Sequence, residues 1–179
     1  MADAIDLAAL IRTVPDFPKP GVQFRDITTL LKHAAGFRAV VERLAAAHCG
    51  SRIDKIAGIE SRGFIVGAAL AAEMRVGFVP IRKGGKLPAE NFGRDYALEY
   101  GRDRLEMHRD AIAPGERVLV VDDLIATGGT AEAALELCAL AGADVVGCAF
   151  VIDLPDLGGR ARLARAGVPT LALVTFPGH

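Results

Sequence analysis

Two adjacent carboxylates, Asp122 and Asp123, stand just ahead of the loop Ala126-Thr127-Gly128-Gly129-Thr130, with only Leu124 and Ile125 between. In that loop two glycines let the backbone curl until several N–H groups converge on one anion, and Thr127 and Thr130 add hydroxyl donors. This is the chemistry of phosphate binding. Thr130 is also expected to cap the helix that the loop opens. Acids so placed would repel a bare phosphate, so a further group must lie between, and a sugar diol fits, with or without Mg²⁺. The expected ligand is a ribose 5-phosphate. No Gly-x-x-x-x-Gly-Lys-Ser/Thr and no Gly-x-Gly-x-x-Gly occurs here, so a triphosphate P-loop and a dinucleotide fingerprint find no support. The competing reading is a buried strand turning into a capped helix with the acids as turn residues, and two neighbouring acids plus Gly-Gly exceed ordinary turn chemistry.

Elements must hold these groups. Residues 118–121, Val-Leu-Val-Val, predict a strand covered on both faces, because a half-exposed strand would alternate apolar with polar. A helix over 131–141 follows, with Gly142 as its stop. The same plan of strand, polar turn and helix recurs earlier: a strand over 53–59, then Glu60-Ser61-Arg62-Gly63, then a small-residue helix over 64–74. Ser61 and Arg62 at that helix start make a second candidate anion site, weighed evenly against a cap serine and a solvated arginine. A strand over 77–81 then leads into Arg82-Lys83-Gly84-Gly85-Lys86-Leu87-Pro88, which carries three cations in five residues at a strand end, where open parallel sheets place their ligands. Residues 89–95 read as a loop tip and 96–100 with 104–108 as a hairpin around Gly101. The excursion 84–101 interrupts the alternation and is expected to be a mobile hood.

At the amino end, Ile5, Leu7, Leu10 and Ile11 suit one side of a short amphipathic helix over 3–13. Pro15, Pro18, Pro20 and Gly21 exclude regular helix over 14–24 and call for an ordered, extended arm that carries Phe17, Phe24 and Arg25. Phe37, Val40, Val41 and Leu44 predict a helix over 34–49 with Gly50 as its stop. A strand over 144–152, a helix fragment over 160–165 and a strand over 168–174 complete the chain. The expected fold is α/β: an open, mainly parallel central sheet flanked by helices, with the crevice at the carboxyl ends of the strands. His33, His48, His108 and His179 show no ligand spacing and are read as structural.

Composition sets outer bounds. The 179 residues contain no linker-like stretch and read as a single domain, 1–179, with an arm over 14–26 and the hood as an insertion. A hydrophobic content of 51% with mean hydropathy +0.31 is high, yet the apolar runs are shorter than the roughly 18 to 20 residues of a membrane span, so part of that surface is assigned to a subunit interface. A net charge of −1 argues against nucleic acid and anionic lipid as general partners. Cys49, Cys138 and Cys148 have no metal-ligand spacing, and the amino terminus lacks the features of a signal peptide. A reducing cytoplasm is expected.

The stretch 118–130 resembles the phosphoribosyl-pyrophosphate motif of the type I phosphoribosyltransferases. Across nearly its entire length the chain is similar to the adenine-specific members of that family. Phe17-Pro18-Lys19-Pro20-Gly21-Val22-Gln23-Phe24-Arg25-Asp26 resembles their base-binding arm, although Gln23 stands where many relatives carry an apolar residue. Glu60-Ser61-Arg62-Gly63-Phe64 resembles their pyrophosphate loop, Arg82 through Pro88 the root of their hood, and Leu98-Glu99-Tyr100-Gly101 its return strand. The resemblance implies transfer of 5-phosphoribose from 5-phosphoribosyl 1-pyrophosphate to N9 of adenine, with Mg²⁺ carried in by the substrate and no direct protein ligand for the metal. It also implies a cytoplasmic homodimer in purine salvage and a cis peptide between Glu60 and Ser61. By residue, it assigns the 5-phosphate to Ala126, Thr127, Gly128, Gly129 and Thr130, and the ribose hydroxyls to Asp122 and Asp123. Pyrophosphate goes to Ser61, Arg62, Arg82, Lys83 and Lys86. Adenine lies between Phe24 and Leu157, its edge read by backbone near Arg25, and Glu99 handles the purine proton.

Two other readings remain open on sequence. A 6-oxopurine accepts a hydrogen bond where the 6-amino group of adenine donates one, and sequence does not show which way an arm carbonyl points. A regulatory domain that keeps the pocket without turnover would need a nucleic-acid-binding module, for which the dozen or so residues ahead of Val14 are too few.

Overall fold

The computed structural model describes residues 5–97 and 101–178. After a single 3-10 turn, Ala8–Leu10, the chain forms two short antiparallel strands, β1 (Arg12–Pro15) and β2 (Gln23–Asp26), with Val14 opposite Phe24. Within the described residues, from Ile5 on, the expected amphipathic helix over 3–13 is thus one turn only. Leu7 and Ile11 do bury their side chains, but so short a segment gains little from helical hydrogen bonds, and Ile11 already turns extended to enter β1. The arm over 14–24 is likewise a hairpin rather than a single extended run. Asp16, at φ 56°, accepts from Gly21 N at 2.8 Å and closes it.

The helical turn α1 (Thr28–Leu31) and α2 (Ala34–Ala47) follow. The i, i+3, i+4 stripe does what its spacing predicts: Val40, Val41 and Leu44 are buried, and His33 caps the helix by accepting from Gly36 N at 3.0 Å. Then come β3 (Lys55–Ile59), α3 (Arg62–Met74), β4 (Gly77–Lys83), β5 (Asn91–Ala97), β6 (Arg102–His108), β7 (Arg117–Ile125), α4 (Gly129–Leu140), β8 (Asp144–Asp153), a 3-10 turn at Pro155–Leu157, α5 (Gly159–Arg165) and β9 (Thr170–Thr175). Among the described residues seven strands form one sheet in the order β5-β6-β4-β3-β7-β8-β9. Strands β4, β3, β7, β8 and β9 run parallel; β6 joins antiparallel at Arg82 and Lys83, and β5 pairs antiparallel outside it.

Residues 89–95 are therefore no loop tip. Asn91 to Asp95 pair with His108 to Arg104, because a hairpin at the sheet's edge gives these backbone groups partners that a free loop would lack. The turn at the root of this hairpin is also tied down, Gly85 N donating to the buried Glu106 at 2.9 Å.

Strand β7 is central and its Val118 to Val121 are wholly buried, so an unbroken apolar run was the right signal. Alternate residues feed opposite cores. Val118 and Val120 join a layer with Leu105, Met107, Leu137 and Leu163, while Leu119 and Val121 join one with Leu30, Leu44, Val66 and Leu70. The sheet is thus covered by α4 and α5 on one face and by α1, α2 and α3 on the other.

Candidate active site

The carboxyl ends of β3, β4 and β7 meet at one edge of the sheet, around a cavity of about 530 Å³. Of the residues proposed for ribose 5-phosphate and pyrophosphate, Asp122, Asp123, Ala126, Thr127, Gly128, Thr130, Ser61, Arg62, Lys83 and Lys86 line it. Gly129 is buried as the first residue of α4, and Arg82 lies beside the cavity against Glu60.

The Thr/Gly loop is held by its backbone. Gly128, at φ 82°, is the residue that caps α4, so the expected capping by Thr130 is not observed. The left-handed geometry of Gly128 starts the helix one residue before Thr130, which leaves the Thr130 side chain on the cavity wall instead. Two glycines that sequence reading gave no role make the close approaches. A Cβ on Gly159 would lie 2.3 Å from Ala126 O, whose carbonyl accepts from Gly159 N at 2.9 Å, and a Cβ on Gly63 would lie 2.7 Å from Asp122 Oδ1. Glycine at these points lets α5 support the loop and α3 reach the acids.

The two acids differ. Asp123 is 4% exposed and accepts from Arg62 Nε at 2.5 Å, so its charge is partnered. Asp122 accepts from Asp123 N at 2.8 Å and has no ion pair among the described residues. Burial, and then the negative charge of Asp123, push the Asp122 carboxyl well above the ordinary range. Arg62 faces two ways: its guanidinium also lies 5.7 Å from the centre of the Phe24 ring.

The cations at the root of the hairpin are paired with protein acids. Lys86 Nζ is 2.5 Å from Glu60 Oε1, Arg82 Nε is 3.3 Å from Glu60 Oε2, and the Lys83 backbone N–H donates to the same oxygen at 3.0 Å. Burial works against the Glu60 charge, but these three donors outweigh it and hold its carboxyl below the ordinary range. Lys83 Nζ donates to Asp103 Oδ2 at 2.6 Å, a hydrogen bond that raises the lysine pKa and lowers that of the aspartate. A phosphate entering here would exchange carboxylate partners for its own oxygens without the cations having to be newly ordered.

The residues proposed for adenine stand to one side, outside the cavity lining. Phe24 lies on β2, edge to face with Phe17 at 5.2 Å. Arg25 is held by the last residues of the chain, donating to Pro177 O at 3.0 Å with its guanidinium 4.6 Å over the Phe176 ring. Leu157 is partly buried in the turn after β8, and Gly178 N donates to the neighbouring Asp156 at 2.7 Å. Glu99, with Leu98 and Tyr100, lies outside the described residues. Glu60, Tyr96 and Phe150 also line the cavity without having been expected to, and only Glu60 had a visible signal, its place in Glu60-Ser61-Arg62-Gly63. The Glu60–Ser61 peptide is cis, as the resemblance suggested.

A parallel sheet with an acid pair, a Thr/Gly anion loop and a cluster of cations at one strand edge defines a class. The chain matches the family described as Phosphoribosyl transferase domain over residues 27–163, and it belongs to that family. The match narrows further among its relatives. It is 61% identical to adenine phosphoribosyltransferase of Nitrobacter hamburgensis over 97% of both chains. The crystal structure of adenine phosphoribosyltransferase from Rhodothermus marinus superposes with a TM-score of 0.90 at 54% identity, covering 95% of this chain and 96% of that one. The Saccharomyces cerevisiae adenine phosphoribosyltransferase, solved with D-2,5-dideoxy-2,5-imino-altritol 1,6-bisphosphate and adenine, superposes with a TM-score of 0.88 at 40% identity, covering 94% and 96%. No helix among the described residues is long and apolar enough to cross a membrane.

Proposed function

We propose that this chain is a purine-salvage enzyme that transfers 5-phosphoribose from 5-phosphoribosyl 1-pyrophosphate to N9 of adenine, giving AMP and pyrophosphate. The observation that carries the proposal is the single cavity in which an anion loop, an acid pair and Lys83 and Lys86 meet. The bond from C1 of the ribose to the diphosphate oxygen breaks, a bond from C1 to N9 forms, and the purine gives up a proton. Backbone amides and hydroxyls of residues 126–130 hold the 5-phosphate. Asp122 and Asp123 take the ribose hydroxyls, and their charge favours the oxocarbenium-like centre. Arg62, Arg82, Lys83 and Lys86, with Ser61, receive the departing diphosphate.

Phe24 and Leu157 sandwich the base while backbone near Arg25 reads its edge. The Arg62 guanidinium, within reach of both the Phe24 ring and Asp123, ties the base side to the ribose side. Glu99, brought down by the hood over 84–101, takes the purine proton, and closure keeps water from the reactive carbon. Magnesium would be carried in by the diphosphate, whose charge it would offset, with no direct ligand from the protein. The whole chain acts as one domain in a cytoplasmic homodimer. The exposed apolar side chains Phe17, Ile65 and Leu140 are consistent with a covered surface.

The test is incubation with phosphoribosyl pyrophosphate and Mg²⁺ against a panel of purine and pyrimidine bases. AMP from adenine is expected; preference for a 6-oxopurine would reassign the base, and no nucleotide from any base would refute transfer.

A further inference from the structure

Glu106 has no part in the roles above, yet it is a carboxylate only 8% exposed, on the strand that pairs with the end of β4. The turn that leaves β4, Lys83-Gly84-Gly85-Lys86, places two cavity-lining cations on either side of two glycines. A Gly-Gly turn has no side chain of its own to fix its course, and Gly85 stands at φ 76°. Each course open to it would send Lys86 a different way.

The neighbouring strands choose one course. Gly84 N donates to Arg104 O at 2.9 Å, Gly85 N to Glu106 Oε2 at 2.9 Å, and Arg82 Nη1 to Lys86 O at 3.3 Å. The tie to Glu106 falls on the left-handed glycine just before Lys86, and its acceptor is charged and buried. That carboxylate is itself held. Arg104 Nε donates to Glu106 Oε1 at 3.0 Å, and the same guanidinium reaches Asp95 Oδ1 at 3.1 Å. Room for the guanidinium comes from Gly93, which lies across from Glu106 on β5: a Cβ there would be 1.9 Å from Arg104 Nη2. One Glu106 oxygen is thus pinned by β6, which leaves the other for the turn.

We infer that Glu106, braced by Arg104, is a positioning residue for the diphosphate subsite, fixing the Gly84-Gly85 turn so that Lys83 and Lys86 face one diphosphate together. The inference rests on the role proposed above for the two lysines. Glu106 acts through the backbone of the turn and needs no contact with substrate. What matters is then the reach of its oxygen more than its charge.

Two conservative variants separate reach from charge. Glu106→Asp keeps the charge but ends one methylene short of Gly85 N, while Glu106→Gln keeps an acceptor oxygen at full reach and gives up the charge. Glu106→Asp should weaken pyrophosphate about tenfold in a calorimetric titration with Mg²⁺, the size of one lost charge-assisted hydrogen bond, and raise KM for phosphoribosyl pyrophosphate by a similar factor. Ribose 5-phosphate affinity and KM for adenine should stay within about twofold. Glu106→Gln should bind pyrophosphate within about threefold of wild type, since Arg104 keeps Asp95 as a partner. In the Lys86→Ala background the Glu106→Asp effect should shrink to about threefold or less, because the cation that the turn aims is gone. No loss in Glu106→Asp, or equal loss in the Asp and Gln variants, would overturn the inference, and weakening of ribose 5-phosphate by the same factor would mark a purely structural role. Should Glu106→Asp not fold, Arg104→Met, which leaves the carboxylate without its brace, carries the same expectation and the same refutation. If the wild type forms no nucleotide from any base, the proposed transfer falls by itself and the pyrophosphate titrations still decide the inference. A wild type that binds no pyrophosphate removes it.

Discussion

Asp122 and Asp123 are neighbours with opposite electrostatic fates. Asp123 has Arg62 against it, while Asp122 is crowded by that same Asp123 charge and by burial. The folded pKa of Asp122 lies above its reference of 3.8, so between those two values the folded chain holds a proton that the unfolded chain has lost. Stability must therefore fall as pH rises from about 4 through the folded pKa. Asp122→Asn removes that loss: it should melt higher than wild type at pH 7, with the gap closing below about pH 4, and differential scanning calorimetry across pH reads it. The Asp122→Asn, Asp123→Asn pair should stay folded with severely reduced turnover, and normal turnover would end the ribose-diol assignment. Arg62→Ala should weaken phosphoribosyl pyrophosphate by one to two factors of ten, about 1.5–3 kcal/mol for a lost charge-assisted bond, with adenine much less affected. It should also lower the melting temperature, since Asp123 would remain buried without its partner. Equal weakening of both substrates would point to a structural role for Arg62. Glu99→Gln should cut kcat by about 10² while leaving phosphoribosyl pyrophosphate binding nearly intact.

Among the elements, the anion loop is stiffened from outside itself. Gly159 opens α5 with its backbone N–H on Ala126 O, at a distance that leaves no room for a Cβ. Gly159→Ala should thus displace the loop and weaken ribose 5-phosphate about tenfold or more in a direct titration, with adenine affinity little changed. The arm is stiffened in the same indirect way. Phe176 lies under the Arg25 guanidinium and Pro177 O accepts from it, so the carboxyl-terminal segment braces β2. Phe176→Ala should raise KM for adenine several-fold while that for phosphoribosyl pyrophosphate holds, by loss of a cation–π contact of about 0.5–1 kcal/mol and some packing. An adenine KM unchanged in that variant would separate the tail from the base site.

For the molecule as a whole, two apolar layers press on one sheet, and the thiols report on them. Cys138 and Cys148 are buried in the layer beneath α4, where loss of solvation pushes each thiol pKa up to about 12, whereas Cys49 is exposed at the end of α2. The folded protein should therefore show one fast-reacting thiol toward a disulfide reagent at pH 8, and three after denaturation. Three fast thiols in the native protein would mean that the α4 layer opens readily.

How much of this was legible depends on how local the cause is. Val118 to Val121 announced a central strand because only burial on both faces tolerates four apolar residues in a row, and α2 announced itself by a stripe at helical spacing. The acid pair, the Thr/Gly loop and the cationic turn were visible for the same reason: each is a contiguous group whose chemistry depends on neighbours in the chain. Tertiary structure decided the rest. Residues 91–95 are a strand only because β6 offers a ladder, and residues 5–13 do not become a continuous helix because β2 recruits Arg12 onward into a hairpin. Gly159 and Gly63 matter through a carbonyl and a carboxylate remote in sequence. Tyr96 reaches the cavity wall, bonded to Asp103, only when the hairpin folds at the sheet's edge. Sequence by itself determined the alternation of elements and the chemistry each strand end carries. Which strand ends share a cavity, and which cation faces which acid, came from sheet order and close packing, whose determinants lie in contacts between residues far apart in the chain.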